Sequence, residues 1–153
     1  IREAIHTTEE KPGGFYTQEI REGGARLGFE IVTLDGSRAV LAHVDIRGPN
    51  RVGKYGVDIA CLERAAIPTM HHAIQECSIV VVDEIGKMEL LSSSFRDTLM
   101  EVLDSRKRLL GTIMLQPHPF ADRIRSDARV QVLLLSKSNR RQVLEKVTEW
   151  LKT

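Results

Sequence analysis

Aromatic residues, cysteines, long apolar runs and an excess of charge of either sign are all scarce in this chain of 153 residues. Only 5% of the residues are aromatic and the formal net charge is +1. A nucleic-acid groove combines clustered Lys and Arg with stacking rings, so this composition weighs against one. No apolar stretch approaches the roughly 20 residues of a membrane span, and the N-terminus has no signal-peptide pattern. We therefore expect a cytoplasmic protein that binds neither nucleic acid nor membrane.

The two cysteines, Cys61 and Cys77, exclude a disulfide-stapled miniature. Both lie in apolar surroundings without the spacing of metal ligands, so we expect reduced thiols in a reducing compartment. A chain of this length with 42% hydrophobic residues can bury one core. The sequence therefore predicts a single domain over residues 1–153.

Hairpin signals fill the first part of the chain. Turns at Gly23-Gly24 and Asp35-Gly36 divide the stretch from Gly14 to Val44 into three segments, which predicts an antiparallel meander. Helical and strand patterns then alternate, which predicts a mostly parallel α/β sheet. The predicted helices cover about residues 60–76, 94–105, 118–126 and 139–152, and the predicted strands 78–83, 107–115 and 130–135.

An acidic pair closes the most apolar of these strands. The run from Ile79 to Val82 is β-branched and does not alternate, as in a parallel strand covered on both faces, and Asp83 and Glu84 follow it. Ligands of open α/β sheets bind at the carboxyl ends of strands. In a nucleotide hydrolase Asp83 would hold Mg²⁺ through its water shell and Glu84 would orient the attacking water. The alternative is a solvated strand end.

One stretch imitates a phosphate cradle. Residues 48–55, GPNRVGKY, match G-x-x-x-x-G-K-[ST] through Lys54, but Tyr55 stands where a small hydroxyl must reach Mg²⁺. The following YGVDI is strand-like, whereas a cradle needs a helix N-terminus there. We therefore predict that the match is accidental and that the chain contains no P-loop.

Three stretches together, GGFYTQEIREGGARLGFEIVTLDG, RVGKYGVD and VVVDEIGKMEL, resemble in the same order the P-loop nucleoside triphosphatase family that includes the cancer-related nucleoside triphosphatase of animals and its relatives in thermophilic microbes. The resemblance covers about residues 14–140. It implies a RecA/AAA-like P-loop NTPase sheet with an antiparallel β-hairpin insertion near the N-terminus. It also implies Mg²⁺-dependent hydrolysis of nucleoside triphosphates to diphosphates with broad nucleotide specificity. Asp83 corresponds to the Walker B aspartate and Glu84 to the catalytic glutamate.

The N-terminal stretch departs from that family. Its members place a strand, a P-loop and a helix ahead of GFYT, whereas this chain opens with IREAIHTTEEKPGGFYT, which resembles the end of that helix. We therefore expect an N-terminally incomplete domain that is inactive by itself. The P-loop strand of the implied sheet lies between 107–115 and 130–135, so these two are predicted not to pair. Strand 78–83 is predicted to pair with 107–115.

Polar residues beyond the acidic pair extend the candidate nucleotide site. Thr112 lies within the strand at 107–115, where its hydroxyl either senses the γ-phosphate or is satisfied inside the sheet. One of Arg123, Arg125 and Arg129 is a candidate to neutralise charge in the transition state, although solvated helix arginines are the commoner case.

Two further residues have weaker signals. Lys87, in GKMEL, either approaches the phosphates or faces solvent. Asn139 follows the last strand, in a loop placed to pack on the nucleotide base, and with Gln142 it forms a capping-box-like start for the last helix, which is our first interpretation of it.

Three classes of function remain open. The first is a Mg²⁺-dependent nucleoside triphosphatase, and the second is a nucleotide or nucleoside kinase. Glu84 favours the first, because a carboxylate that orients water promotes hydrolysis. The third is a non-catalytic interaction module that has lost its phosphate site. The sequence does not rank ATP against GTP or other nucleotides, and it names no protein partner.

Overall fold

A computed structural model describes residues 1–153 as a single mixed sheet with helices on both faces. The strands are β1 (Pro12–Glu22), β2 (Ala25–Thr33), β3 (Arg38–His43), β4 (Arg51–Val52), β5 (Tyr55–Val57), β6 (Ile79–Ile85) and β7 (Arg108–Ile113). The helices are α1 (Arg2–Ile5), α2 (Ile59–Glu76), α3 (Ser93–Asp104), α4 (Pro119–Arg125) and α5 (Arg140–Leu151), with a 3₁₀ turn at Glu89–Leu91. The strand order is β4-β5-β3-β2-β1-β6-β7. None of the helices has the length and apolar character needed to cross a bilayer.

The predicted meander is confirmed and continues directly into the parallel part of the sheet. β1, β2 and β3 pair antiparallel, and Gly23 and Gly24 form the first turn with positive φ values of 54° and 81°. Such values match the right-handed twist of a tight hairpin. The other edge of β1 pairs in parallel with β6, from Pro12 opposite Ile79 to Tyr16 opposite Asp83. The meander is therefore part of the sheet that carries the acidic pair.

Strand β6 lies between two apolar layers, as its sequence predicts. Val80 and Val82 pack into the larger core with Phe15 of β1 and the inner faces of α2 and α3. Ile79 and Val81 face the opposite way, into a smaller core with residues of α1, α5 and β7. All four β6 side chains are fully buried, which contributes roughly 1.5–3 kcal/mol for each. This double burial fixes the direction in which the end of the strand points.

Polar caps set the starts of the two helices on the larger core. The Asp58 carboxylate accepts a hydrogen bond from the backbone N–H of Cys61 at 2.8 Å, and the Ser92 hydroxyl accepts one from the N–H of Phe95 at 3.0 Å. Each cap satisfies a backbone donor that the first helical turn leaves without a partner. α2 and α3 therefore begin at the residues that place their apolar faces against the sheet.

The apparent phosphate cradle at residues 48–55 is a β-hairpin. Val52 of β4 pairs with Tyr55 of β5, and Gly53 occupies the turn with φ 58°. Lys54 lies in the same turn, with its ammonium 5.4 Å from the centroid of the Tyr55 ring. The segment thus joins two antiparallel strands, so the prediction that this match is accidental is confirmed.

Residues 130–135 do not form the strand that their apolar sequence predicts. β7 pairs with β6, as predicted, and has no partner along its other edge. The segment at 130–135 therefore does not pair with β7, also as predicted. A strand is defined by backbone hydrogen bonds to a neighbouring strand, and this segment forms none of that kind. Leu134 and Leu135 consequently remain 67% and 58% exposed. The location of a P-loop strand beside β7 stays a prediction.

Candidate functional site at the end of strand β6

A local bulge in β6 turns the two acidic side chains in different directions. Val82 pairs with Gly111, and the next pair in the register joins Ile85 to Ile113, so β6 has one more residue than β7 over this stretch. Asp83 and Glu84 occupy the extra length, and the peptide bond between them is cis. A bulge bends its strand and redirects its side chains. The Asp83 side chain consequently contacts β7, whereas the Glu84 side chain lines a cavity.

The structure brings together two of the predicted site residues, Asp83 and Thr112. The Thr112 hydroxyl donates a hydrogen bond of 2.5 Å to Oδ1 of Asp83 across the β6–β7 pair. Both side chains are half-buried. A carboxylate has acceptor capacity on both oxygens, so Asp83 keeps an oxygen that can accept from bound water.

Glu84 lies next to Asp83 on the wall of a cavity of about 260 Å³. Its side chain is open to solvent through this cavity, yet the surrounding protein removes part of its hydration. This desolvation is the larger cause that raises the pKa of Glu84, and the negative charge of Asp83 is the second. The arrangement is a carboxylate that is accessible to a small molecule and has increased proton affinity.

A third carboxyl group, that of Glu89, was missed by the sequence analysis. Glu89 is only 2% exposed, and its Oε2 accepts a hydrogen bond from the backbone N–H of Gly86 at 3.2 Å. Burial raises the pKa of Glu89 to about 8, and the charges of Glu84 and Asp83 add to that increase. The sequence signal was the position of this acid between Met88 and Leu90 just after the acidic pair.

Gly86 separates the two glutamates. A Cβ atom placed on Gly86 would lie 2.7 Å from Oε1 of Glu84 and 3.0 Å from Oε2 of Glu89. These distances are shorter than ordinary van der Waals contacts, so a side chain at this position would displace one of the carboxyl groups. The absence of a side chain at Gly86 therefore allows both groups to approach the same turn.

The arginines after β7 differ in their contacts. Arg125 donates to the backbone carbonyl of Met114 and to the Asp122 carboxylate, and Arg129 forms ion pairs with Asp127 and Asp104. Arg123 is exposed and takes part in none of these contacts. Of the three predicted candidates, Arg123 is the one that is exposed and forms no ion pair.

Lys87 and Asn139 have different environments. Lys87 is exposed and lies on the rim of the same cavity as Glu84. Asn139 occupies the residue before α5, but its side chain makes no capping bond to the helix. Its amide instead accepts from the N–H of Ser136 and donates to the carbonyl of Leu134, both at 2.8 Å. The capping-box prediction was therefore wrong, because closer backbone groups of the preceding loop bind the side chain.

The donor set at this edge of the sheet suits a hard, hydrated cation. No group of three or more His, Cys, Asp or Glu side chains is arranged to hold a metal ion. Mg²⁺ keeps several of its waters and binds proteins through one or two carboxylates together with substrate phosphates. Asp83, with one oxygen held by Thr112, offers that kind of partial site.

Comparisons with known proteins give a consistent result. The chain matches the family described as NTPase over residues 1–148. It is 46% identical over 140 residues to nucleoside-triphosphatase THEP1 of Thermotoga petrophila, covering 92% of this chain and 78% of that protein. It is 38% identical over 146 residues to the human cancer-related nucleoside-triphosphatase, covering 86% and 76%.

Solved structures share the fold. The crystal structure of THEP1 from the hyperthermophile Aquifex aeolicus superimposes with a TM-score of 0.88 at 29% identity, covering 99% of this chain and 90% of that one. The solution structure of the human cancer-related nucleoside triphosphatase gives 0.76 at 37% identity, covering 92% and 81%. The α/β sheet is consistent with a P-loop NTPase fold, as the resemblance implies. By its sequence over nearly its whole length and by its fold, the chain belongs to the NTPase family.

Proposed function

We propose that the protein hydrolyses nucleoside triphosphates to diphosphates and phosphate with Mg²⁺, and that Asp83 and Glu84 carry the reaction. The observation that supports this most strongly is the bulge after Val82, which directs two adjacent carboxylates into different surroundings at the carboxyl end of a doubly covered strand. The relatives are named as nucleoside triphosphatases without reference to a base, which supports broad nucleotide specificity.

Asp83 is proposed to hold Mg²⁺ through the water shell of the ion. The hydrogen bond from Thr112 fixes the orientation of the carboxylate before any ligand arrives. Bound Mg²⁺ would neutralise charge on the β- and γ-phosphates. The role of Asp83 and Thr112 is therefore to provide a preoriented anchor rather than a complete metal cage.

Glu84 is proposed to orient the attacking water. Its carboxylate is open to the cavity, and its raised pKa increases its ability to accept a proton from that water. Catalysis of this kind comes mostly from positioning and charge stabilisation. Glu84 therefore needs only to hold one water in line with the γ-phosphate. Arg123, with no competing ion pair, is proposed to contribute positive charge to the same transition state.

The test uses substitutions in the full-length protein. Glu84→Gln should keep nucleotide binding and lower turnover at least about a hundredfold, because it removes the group that orients water and leaves the phosphate contacts. Asp83→Ala should also weaken Mg²⁺-dependent nucleotide binding. Glu145→Gln, an exposed carboxylate on α5 paired with Arg141, is the matched control and should behave like the parent. Parent-like turnover in Glu84→Gln would show that Glu84 is not the catalytic carboxylate.

A further inference from the structure

The cavity beside Glu84 is larger than a hydrolytic water requires. Its volume is about 260 Å³, whereas a water in the liquid occupies about 30 Å³. Its lining combines residues near the carboxyl ends of β6 and β7 with one residue from each of the strands β1, β2, β3 and β4. Water positioning alone does not account for a space of this size.

The walls of the cavity are mostly apolar. Phe29, Leu41 and Val52 of β2, β3 and β4 contribute to the lining, together with Met88 and Met114. Binding sites for small organic molecules combine such walls with a few polar groups that fix orientation. The volume is slightly below the usual 300–1,000 Å³ range for drug-sized ligands, so the occupant is compact.

The polar groups of the cavity point to an uncharged occupant. Thr17 and Gln116 offer neutral donors and acceptors, and Lys87 is the sole cation of the lining, opposed by the Glu84 carboxylate. The lining contains no arginine. Phosphate groups are commonly held by bidentate arginine contacts, so a phosphorylated acceptor would depend on Lys87 alone, beside two glutamates of the same lining.

The cavity is also at the wrong end of the triphosphate to hold its base. By the proposed function, on which this inference rests, Glu84 faces the γ-phosphate. The base is separated from that phosphate by the sugar and two further phosphates. A compact cavity that has Glu84 in its wall therefore adjoins the terminal phosphate, where an acceptor would lie.

We propose that this cavity binds a second substrate, an uncharged alcohol with an apolar or flat body and at most the size of a nucleoside, and that its hydroxyl replaces water as the acceptor of the γ-phosphoryl group. The lining itself contains no Ser, Cys or His that could act as a protein nucleophile, and the Thr17 hydroxyl has no neighbouring base other than the acids of the cavity. The acceptor is therefore supplied by the ligand.

The transfer step balances with the groups at hand. The hydroxyl oxygen of the acceptor forms a bond to the γ-phosphorus, and the bond from that phosphorus to the β–γ bridging oxygen breaks. The electron pair of the broken bond leaves with the nucleoside diphosphate, and the hydroxyl proton passes to Glu84. The products are a phosphate monoester and a diphosphate. Glu84, which orients water during hydrolysis, would accept the proton of an alcohol hydroxyl that occupies the position of that water.

The test measures how the γ-phosphate divides between two products. The full-length protein is incubated with Mg²⁺ and a γ-labelled triphosphate, with adenosine or uridine as the acceptor probe and AMP or UMP as charged comparison compounds. We expect labelled nucleoside monophosphate in amounts equal to the extra diphosphate formed, and no phosphorylation of AMP or UMP. Release of inorganic phosphate without any monoester would overturn the inference and leave the proposed function standing.

Two other outcomes are informative. Phosphorylation of AMP or UMP but not of the nucleosides would overturn the inference, because the acceptor would then be a nucleotide. Failure to release phosphate or to form monoester in any reaction would overturn the proposed function, and the inference with it. The product pattern therefore distinguishes the two failures.

A pair of matched variants locates the acceptor. Val52→Phe fills the cavity from β4 and should lower the ratio of monoester to inorganic phosphate at least about tenfold, since pocket volume discriminates by such factors. Val40→Phe, at a 43% exposed position on β3, makes the same change outside the cavity and should leave the ratio unchanged. Met114→Phe adds bulk from the segment after β7 and gives an independent test. Equal ratios in the parent, Val52→Phe and Met114→Phe would show that the acceptor binds elsewhere.

Discussion

Thr112 and Asp83 are joined side chain to side chain across two parallel strands. The hydroxyl of Thr112 donates to Oδ1 of Asp83 at 2.5 Å, and the strands that carry them pair on either side of the bulge. The orientation of the proposed Mg²⁺ anchor is thus set by the neighbouring strand and not by its own strand alone. A hydrogen bond to an ionised group contributes about 1.5–3 kcal/mol, so the pair is a strong constraint.

The first prediction tests that constraint. Thr112→Val removes the hydroxyl with little change in volume and should lower kcat/KM at least about tenfold, because Asp83 loses its orienting donor. It should also raise the Mg²⁺ concentration needed for half-maximal turnover. Thr112→Ser retains the hydroxyl and should stay within about threefold of the parent. Similar Mg²⁺ dependence in the Val and Ser variants would contradict this role.

The second prediction separates two arginines of α4. Arg123→Ala should lower turnover at least about tenfold with little change in melting temperature, because the exposed guanidinium forms no ion pair and acts on Asp127 only through its charge. Arg125→Ala should instead destabilise the fold by about 1–3 kcal/mol, because it leaves the half-buried carbonyl of Met114 without its donor. Paired measurements of turnover and thermal unfolding distinguish the two effects. A stability loss in Arg123→Ala without a loss of turnover would exclude it as the contributor of charge.

The location of Asp83 and Glu84 was predictable because it depends on a local pattern. Four apolar β-branched or aliphatic residues without alternation require a strand covered on both faces, and such a strand ends where the polar residues begin. The burial of Glu89 has a weaker local signal, its position between Met88 and Leu90. It depends on the 3₁₀ turn that follows β6 folding back against the larger core, which is a tertiary feature.

The segment at 130–135 shows the opposite case, in which a clear local pattern does not produce the predicted element. Its sequence, VQVLLL, has strong strand propensity, but propensity supplies no hydrogen-bonding partner. The capping prediction for Asn139 failed for a similar reason. The choice between capping a helix and binding a nearby loop depends on the loop geometry. Patterns of apolar residues therefore predict layers and strand ends, whereas pairing and individual polar contacts depend on the assembled fold.

The third prediction concerns the hairpin that imitates a P-loop. Lys54→Ala in the full-length protein should leave triphosphate affinity within about threefold of the parent, because Lys54 lies in a β-turn and not at a helix N-terminus. Equilibrium binding of a fluorescent triphosphate analogue provides the measurement. A hundredfold loss of affinity would show that residues 48–55 hold the phosphates after all.

The fourth prediction uses the buried carboxyl of Glu89 as a probe of the fold. Its pKa in the folded protein is about 8, compared with an ordinary value of 4.5. Between these two pH values the unfolded chain has released this proton while the folded chain retains it. Stability therefore declines as the pH rises from 4.5 to 8, by about 1.4 kcal/mol per pH unit from this group, and the contribution is flat below and above that interval.

Glu89→Gln keeps the shape and an acceptor for the N–H of Gly86 but cannot ionise. The variant should therefore gain stability relative to the parent as the pH rises, by roughly 2–3 kcal/mol between pH 5 and pH 7, as measured by urea unfolding at several pH values. Glu145→Gln changes an exposed position of α5, and its free energy of unfolding should vary with pH in the same way as that of the parent. Parallel curves for the parent and Glu89→Gln would mean that Glu89 ionises in the folded state near its ordinary pKa. In that event the turn at Gly86 would have to hold a charged carboxylate beside Glu84 and Asp83.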